Sequence, residues 1–408
     1  MKLSKRPAFT ALAAAIITAL LAILAPVKET NVRIAQPTDF IQIADFKVSV
    51  FTTDWFAAIV AIVCASVSLI FVFVLKRKSP GILTSVTFVM LILAALVWLY
   101  AGKDMTLTSL LQGALALSVP LIFGSMAGVL SERVGIVNIA IEGQLLAGAF
   151  TSAMIASLTK NLWLGLIGAL VAGALVALLL AVFSIKYKVD QIITGVVVNV
   201  LIIGLTNFLF STVMGSNTQL FNNPPRFDKV VIPVLGQIPV LGSVMFNQTP
   251  IVYLMYIAVA AVFIALFKTR WGLRVRAVGE HPKAADTVGI NVFRTRYISV
   301  TYGGALAGIG GAFFTLGQVG AFGKEMTNGA GYIALAALIF GRWNPILAAL
   351  AALLFGFAEN LQYGLAIIGS PVPSEFLLML PYALTIVAVA GLVGKVVGPA
   401  ATGKPYEK

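Results

Sequence analysis

Apolar residues along this 408-residue chain come in long, nearly continuous runs. A helix needs about 20 apolar residues to cross a bilayer core. Hydropathy therefore predicts spans at Ala8–Ala25, Trp55–Leu75, Ile82–Tyr100, Leu107–Leu130, Ile139–Leu158, Trp163–Ile185, Ile192–Met214, Ile251–Phe267, Tyr297–Leu316, Tyr332–Phe340, Ile346–Ile367 and Phe376–Val393. The run Tyr332–Phe340 is too short to cross alone and predicts a half-helix or a re-entrant segment. The fold class expected is all-α, a polytopic transmembrane helix bundle of about 10–12 membrane segments that include broken or short helices.

Composition agrees. Sixty per cent of the residues are hydrophobic and only 11% are charged, against roughly 25% charged in soluble domains. No polar stretch is long enough to build a soluble domain. The expected organisation is an N-terminal extension of three spans (1–104), a membrane core (105–398) and a cytoplasmic tail (399–408). The net charge of +13 does not point to nucleic acid, because the 28 Lys and Arg sit mostly in short loops between apolar runs, the topology signal of membrane proteins. With the N-terminus inside and the spans alternating, most of these cations fall inside, seven of them between Lys268 and Arg296. Both termini are then cytoplasmic. Lys2, Lys5 and Arg6 precede the first run. It reads as an uncleaved helix, since no small-residue cleavage site comes before the polar stretch Lys28–Asp54. Cys64 and His281 are the only residues of their kinds, which excludes a disulfide within the chain and argues against a metal cluster. No cofactor is expected. No G-x-x-x-x-G-K-[ST] loop occurs, so the chain alone cannot hydrolyse ATP.

Two segments interrupt the apolar pattern. Ser131 to Gly143 places Glu132, Arg133, Asn138 and Glu142 with Gly135 and Gly143 between two spans. It is either broken backbone at membrane depth, which survives only where protein or a cavity satisfies its amides, or a plain turn with Glu142 beginning the next helix. Trp271 to Ile290 is basic and helix-compatible, with Pro282 as its main interruption. It suits either a short helix that presses into a groove on an ATPase or a loop that serves topology and anionic headgroups. Gly215 to Pro250 is rich in Asn, Pro and Gly and predicts ordered turns with little regular structure. Gly303-Gly304, Gly308 and Gly310-Gly311 lie inside a span, where small residues let helix backbones approach closely.

Taken in order, Glu132–Gly148, Gly272–Ile290, Gly303-Gly304-Ala305-Leu306-Ala307-Gly308 and Tyr332–Pro345 resemble the permease family for branched-chain amino acids, simple sugars and nucleosides. Val137-Asn138-Ile139-Ala140-Ile141-Glu142-Gly143 is most similar to its nucleoside-type branch, and the likeness runs from Leu107 to Val397. The resemblance implies a permease in a bacterial cell (inner) membrane. Its implied partners are a second permease (a heterodimer), cytoplasmic ATP-binding subunits and an extracellular substrate-binding lipoprotein, with membrane lipid around it. It also makes Gly272–Ile290 the coupling segment, with Gly272, Arg274, Arg276, Ala277, Gly279, Glu280, Ala284, Ala285 and Gly289 as the candidate contacts. The spans up to Tyr100 depart from compact members of the family.

The expected substrate path uses polar groups set deep in apolar sequence: Asn138, Glu142, Asn199 and Glu359. A carboxylate in a span is costly and by default a functional hypothesis; Glu359 fits either a substrate or gating contact or, more commonly for such a group, structural pairing with another helix. Asn199 and Asn207 share a helical face and fit either the path or interhelical bonds. Gln112 and Gln318 lie nearer span ends, and Phe208, Phe210, Phe313 and Phe314 fit packing better than base stacking. Two rival functions remain. A membrane-embedded enzyme would need convergent acids that the chain lacks; an ion-coupled secondary transporter of a small polar solute is compatible with Glu359 and the interrupted helix.

Overall fold

A computed structural model describes residues 5–34, 43–367 and 397–408, with Phe376 and Met379. The expected span Phe376–Val393 lies otherwise outside the described residues. In chain order the elements are α1 (Arg6–Ile23), β1 (Glu29–Arg33), β2 (Phe46–Ser49), α2 (Val50–Phe73), α3 (Gly81–Leu99), β3 (Asp104–Thr106), α4 (Leu107–Glu132), α5 (Ile141–Thr159), α6 (Leu162–Ala181) and α7 (Gln191–Leu209). The short α8 (Thr218–Phe221), β4 (Val230–Val231), α9 (Leu241–Met245) and β5 (Asn247–Gln248) follow. The chain then forms α10 (Pro250–Lys268), α11 (Arg270–Glu280), α12 (Pro282–Thr287), α13 (Val292–Ala312), α14 (Ala330–Phe340) and α15 (Pro345–Ile367). Among the described residues, nine helices are long and apolar enough to cross a membrane, and α1 and α14 are shorter apolar helices. The chain is thus a polytopic helical bundle. Short strands add to it: β1 pairs antiparallel with β2 and parallel with β3, and β4 pairs antiparallel with β5. They lie in the polar stretches between spans, where hydropathy alone predicts no structure.

Local chemistry sets the helix starts. Asn161 accepts bonds from the Trp163 and Leu164 amides, Asp190 from Ile192 and Ile193, and Asn291 from Arg294. Each side chain thereby satisfies donors that the first turn leaves orphaned. Helices α6, α7 and α13 end in π-helical turns (Val182–Lys186, Phe210–Met214 and Phe313–Val319).

The chain divides into two compact units. The first takes Met1–Gly113, Pro233–Phe246 and Ala358–Lys395. In it α1, α2 and α3 pack together, α1 and α2 through Ala11, Ala15, Ala61 and Ala65. The second takes Ala114–Ile232, Asn247–Phe357 and Val396–Lys408, and α5, α6 and α13 form its tightest stack. Glycine makes that stack possible. A Cβ on Gly308 would collide with the carbonyl oxygen of Ala169 on α6 and meet the Cα of Gly173 at 3.2 Å. Gly308→Leu is expected to cost about 3 kcal/mol or more through overpacking against backbone that cannot yield. The measurement is a lowered unfolding midpoint for the detergent-purified protein; an unchanged midpoint would show the crossing to be loose.

Candidate functional site

The interruption between α4 and α5 is an irregular and largely buried segment, and Glu142 falls in the first turn of the helix that follows it. Residues 133–140 leave the helix at Arg133, pass through Gly135 at φ +90° and re-enter at Ile141. Most of them are buried, so their polar groups need partners inside the protein. The Val137 amide donates to Gln191 Oε1 at 2.7 Å. Asn138 is fully buried; its Nδ2 donates to Ser131 Oγ and Gln144 Oε1 (both 3.2 Å), and Gln144 Nε2 returns a bond to Asn138 Oδ1 at 3.1 Å. Asn199 on α7 accepts the Gly143 amide at 2.8 Å and donates to the Ile139 carbonyl at 2.9 Å and to Tyr332 Oη at 3.1 Å.

Helix α14 is held by this segment at both ends. Glu142 is 5% exposed, and its carboxylate accepts from Thr327 Oγ1 (2.6 Å) and from the amides of Gly329 (2.9 Å) and Gly331 (2.6 Å). The negative group therefore sits on the positive end of α14 and satisfies its orphaned donors. At the other end Trp343 Nε1 donates to Glu132 Oε2 at 2.6 Å, and Arg133 Nε donates to the Trp343 carbonyl at 2.9 Å. Eleven residues of helix cover about 16 Å, roughly half of a 30 Å core. Residues 320–329, which precede the helix, are irregular and run from the loop after α7, where Asn222 exchanges two bonds with Phe322 (2.7 and 2.9 Å), to Glu142. Two interrupted segments thus meet at Glu142.

The basic segment 270–287 forms a helical hairpin of α11 and α12. Gly279 lies so close to the Arg133 carbonyl oxygen that a Cβ there would collide with it. Arg133 and Arg276 both stack on the Phe267 ring, at 5.6 and 5.3 Å. Burial pushes the pKa of the Arg133 guanidinium down, and the Glu280 carboxylate opposes that shift. Residues 397–408 fold back onto the same place. The Ala401 amide donates to the Gly279 carbonyl (2.9 Å), the Gly403 amide to the Gly135 carbonyl (3.2 Å) and Arg296 Nη1 to the Lys404 carbonyl (3.4 Å). Lys188 Nζ lies 2.7 Å from Glu407 Oε1 and holds that carboxyl below its ordinary value. What the sequence presents as a tail is packed structure.

A family model described as "Branched-chain amino acid transport system / permease component" matches residues 110–389. The chain belongs to this permease family. It is 42% identical over 322 residues to the guanosine ABC transporter permease protein NupQ of Bacillus subtilis, covering 74% of this chain and 97% of that relative. It is 40% identical over 316 residues to the nucleoside ABC transporter permease protein NupC of Lactococcus lactis, covering 74% and 98%. The putative glucose ABC transporter permease protein TsgC13 of Haloferax volcanii is 34% identical over 257 residues, covering 62% and 76%. No solved structure matches.

In this permease, Asn138, Glu142 and Asn199 converge on one polar network, and all three are fully engaged by protein partners. Glu359 belongs to the other unit, where it is half-buried and accepts from Tyr363 Oη at 3.4 Å. Gln112 is there too, its Nε2 donating to the Ser243 carbonyl at 2.8 Å. Asn207 donates to Glu325 Oε1 at 3.0 Å. Of the expected coupling residues, Arg274, Glu280, Ala284 and Gly289 are exposed, Arg276 and Ala277 are half-buried, and Gly272, Gly279 and Ala285 are buried within the permease itself. Sequence reasoning omitted Leu273 and Val288, which are 61% and 74% exposed on the hairpin. It also gave no role to Thr327, Tyr332, Gln191 and Trp343, whose roles depend on pairings 54 to 211 residues distant along the chain.

Proposed function

We propose that this permease moves nucleosides through the membrane as one of two permease subunits of an ABC importer. Separate cytoplasmic ATPases power it, and an external binding lipoprotein delivers the substrate. The observation that carries the reading is mechanical. The α11–α12 hairpin touches Arg133 through Gly279, and the segment beginning at Arg133 grips α14 at both ends. Movement of the hairpin would therefore pass directly to the two interrupted segments that meet at Glu142. The names of the two relatives at 42% and 40% identity support a nucleoside as substrate, and that of the third keeps simple sugars as the second reading. The ATPase contact is assigned to the exposed hairpin residues Leu273, Arg274, Ala284 and Val288. Asn138, Glu142 and Asn199 are the proposed path residues of the second unit, and Glu359, in the first unit, is a separate candidate because a half-buried carboxyl in a span is a functional hypothesis by default.

Two measurements test this. The isolated chain should hydrolyse no ATP, since it has no phosphate-binding loop. A cysteine at Ala284 should cross-link to the co-expressed ATPase, and labelled guanosine uptake should stop when that ATPase is inactivated. Uptake by the chain alone, driven by an ion gradient, would overturn the importer reading in favour of a secondary transporter.

A further inference from the structure

Two cavities in the second unit join along one wall. The first, about 650 Å³, lies among spans α4, α6, α10 and α13 and is almost wholly apolar, with Leu130, Ala258, Ala261, Ala305 and Ile309 in its lining. The second, about 930 Å³, lies between α11 and the start of α13 and carries Arg270, Arg274 and Arg294. Trp271 and Ile298 line both. The three guanidinium groups are exposed, and among the described residues none of them has an acidic partner within salt-bridge distance. The polarity thus changes from hydrocarbon-like to cationic across two adjacent cavities that share Trp271 and Ile298 and form one groove-like face. The change falls where α10 ends at Lys268 and an indole stands at the boundary, the position that tryptophan favours at a membrane–water interface.

We propose that this groove binds one anionic phospholipid. An acyl chain lies in the apolar cavity against Ala258, Ala261 and Ala305, and the phosphate rests on the membrane-side rim at Arg270 and Arg294. Charge complementarity selects the occupant. Water has no reason to fill the apolar part, a soluble subunit has no access to it, and only a lipid matches both halves at once. The outer rim at Leu273 and Val288 stays open to the ATPase, so the lipid site does not depend on which solute the permease carries.

The test uses the full chain in phosphatidylcholine nanodiscs, doped with phosphatidylglycerol or phosphatidylcholine bearing a diazirine near the acyl terminus. Phosphatidylglycerol should label α10 and α13 at the cavity wall in preference to phosphatidylcholine. R270Q and R294Q should each lower that labelling roughly fivefold, and A261W, which fills an exposed position in the apolar cavity, should abolish it. Equal labelling by the two lipids overturns the proposal without recourse to any variant. So does displacement by inorganic phosphate, which would mark a free-anion site, or a cross-link from A261C to a second permease, which would mark the groove as a subunit interface.

Discussion

Glu142→Gln should destabilise the folded permease strongly. The carboxylate collects three donors, the Thr327 hydroxyl and the Gly329 and Gly331 amides, with no longer separation than 2.9 Å. An amide of the same shape keeps one acceptor oxygen and turns an NH2 group toward at least one donor. The buried donor then loses its partner, and the negative charge on the α14 terminus disappears. Charge-assisted bonds are worth about 1.5–3 kcal/mol each, and an orphaned buried donor costs about 1–3 kcal/mol more. The net loss should be on the order of 3 kcal/mol or above. Heating the detergent-purified variant and following its monodisperse fraction should show a clearly lower midpoint than wild type, with uptake falling in parallel. A variant as stable as wild type but deficient in uptake would show instead that Glu142 acts on substrate.

That result would also separate what the sequence makes legible from what it does not. The spans are legible because the hydrophobic signal is local: the expected run Leu107–Leu130 became α4 at Leu107–Glu132, and Ile192–Met214 became α7 with its π-helical turn. The shortness of Tyr332–Phe340 is equally local, and α14 is short. The strangeness of Ser131–Gly143 is visible as charge inside apolar sequence. Its resolution is not, because Glu142 is satisfied by Gly329 and Gly331, nearly two hundred residues away. A Gly-rich stretch just before a short apolar helix was the available clue, since such a stretch offers bare amides to a carboxylate. Small residues on the hairpin carry a second meaning that the sequence does not show. Gly272, Gly279 and Ala285 read in sequence as a surface for the ATPase; in the fold they are buried, Gly272 against the backbone of Ala265 and Leu266 and Gly279 against the Arg133 carbonyl.

Truncation after Gly398 is expected to uncouple the permease while leaving its spans intact. The segment removed supplies the Ala401 amide to the Gly279 carbonyl, the Gly403 amide to the Gly135 carbonyl and the Lys404 carbonyl to Arg296. It thereby joins the hairpin, the α4–α5 interruption and α13 with one short stretch of backbone. Arg296 makes the loss expensive. The residue is 1% exposed, and among the described residues its Nε and Nη2 have no partner, so the bond from Nη1 to Lys404 is the contact that remains to it. Removing a partner from a buried charge costs several kcal/mol, and Tyr406, buried against Phe293 with ring centroids 5.3 Å apart, is lost at the same time. The cost falls on the hairpin, its base and the start of α13 around Arg296, away from the glycine crossing at Gly308. If the permease works as proposed, labelled nucleoside uptake should therefore fall by at least tenfold, the equivalent of about 1.4 kcal/mol, while the variant still inserts into the membrane. Arg296→Leu, which removes the buried charge together with its need for a partner, should recover part of the stability in the truncated chain but not the uptake. Full uptake after truncation would show that the hairpin holds its place on Arg133 through Gly279 alone.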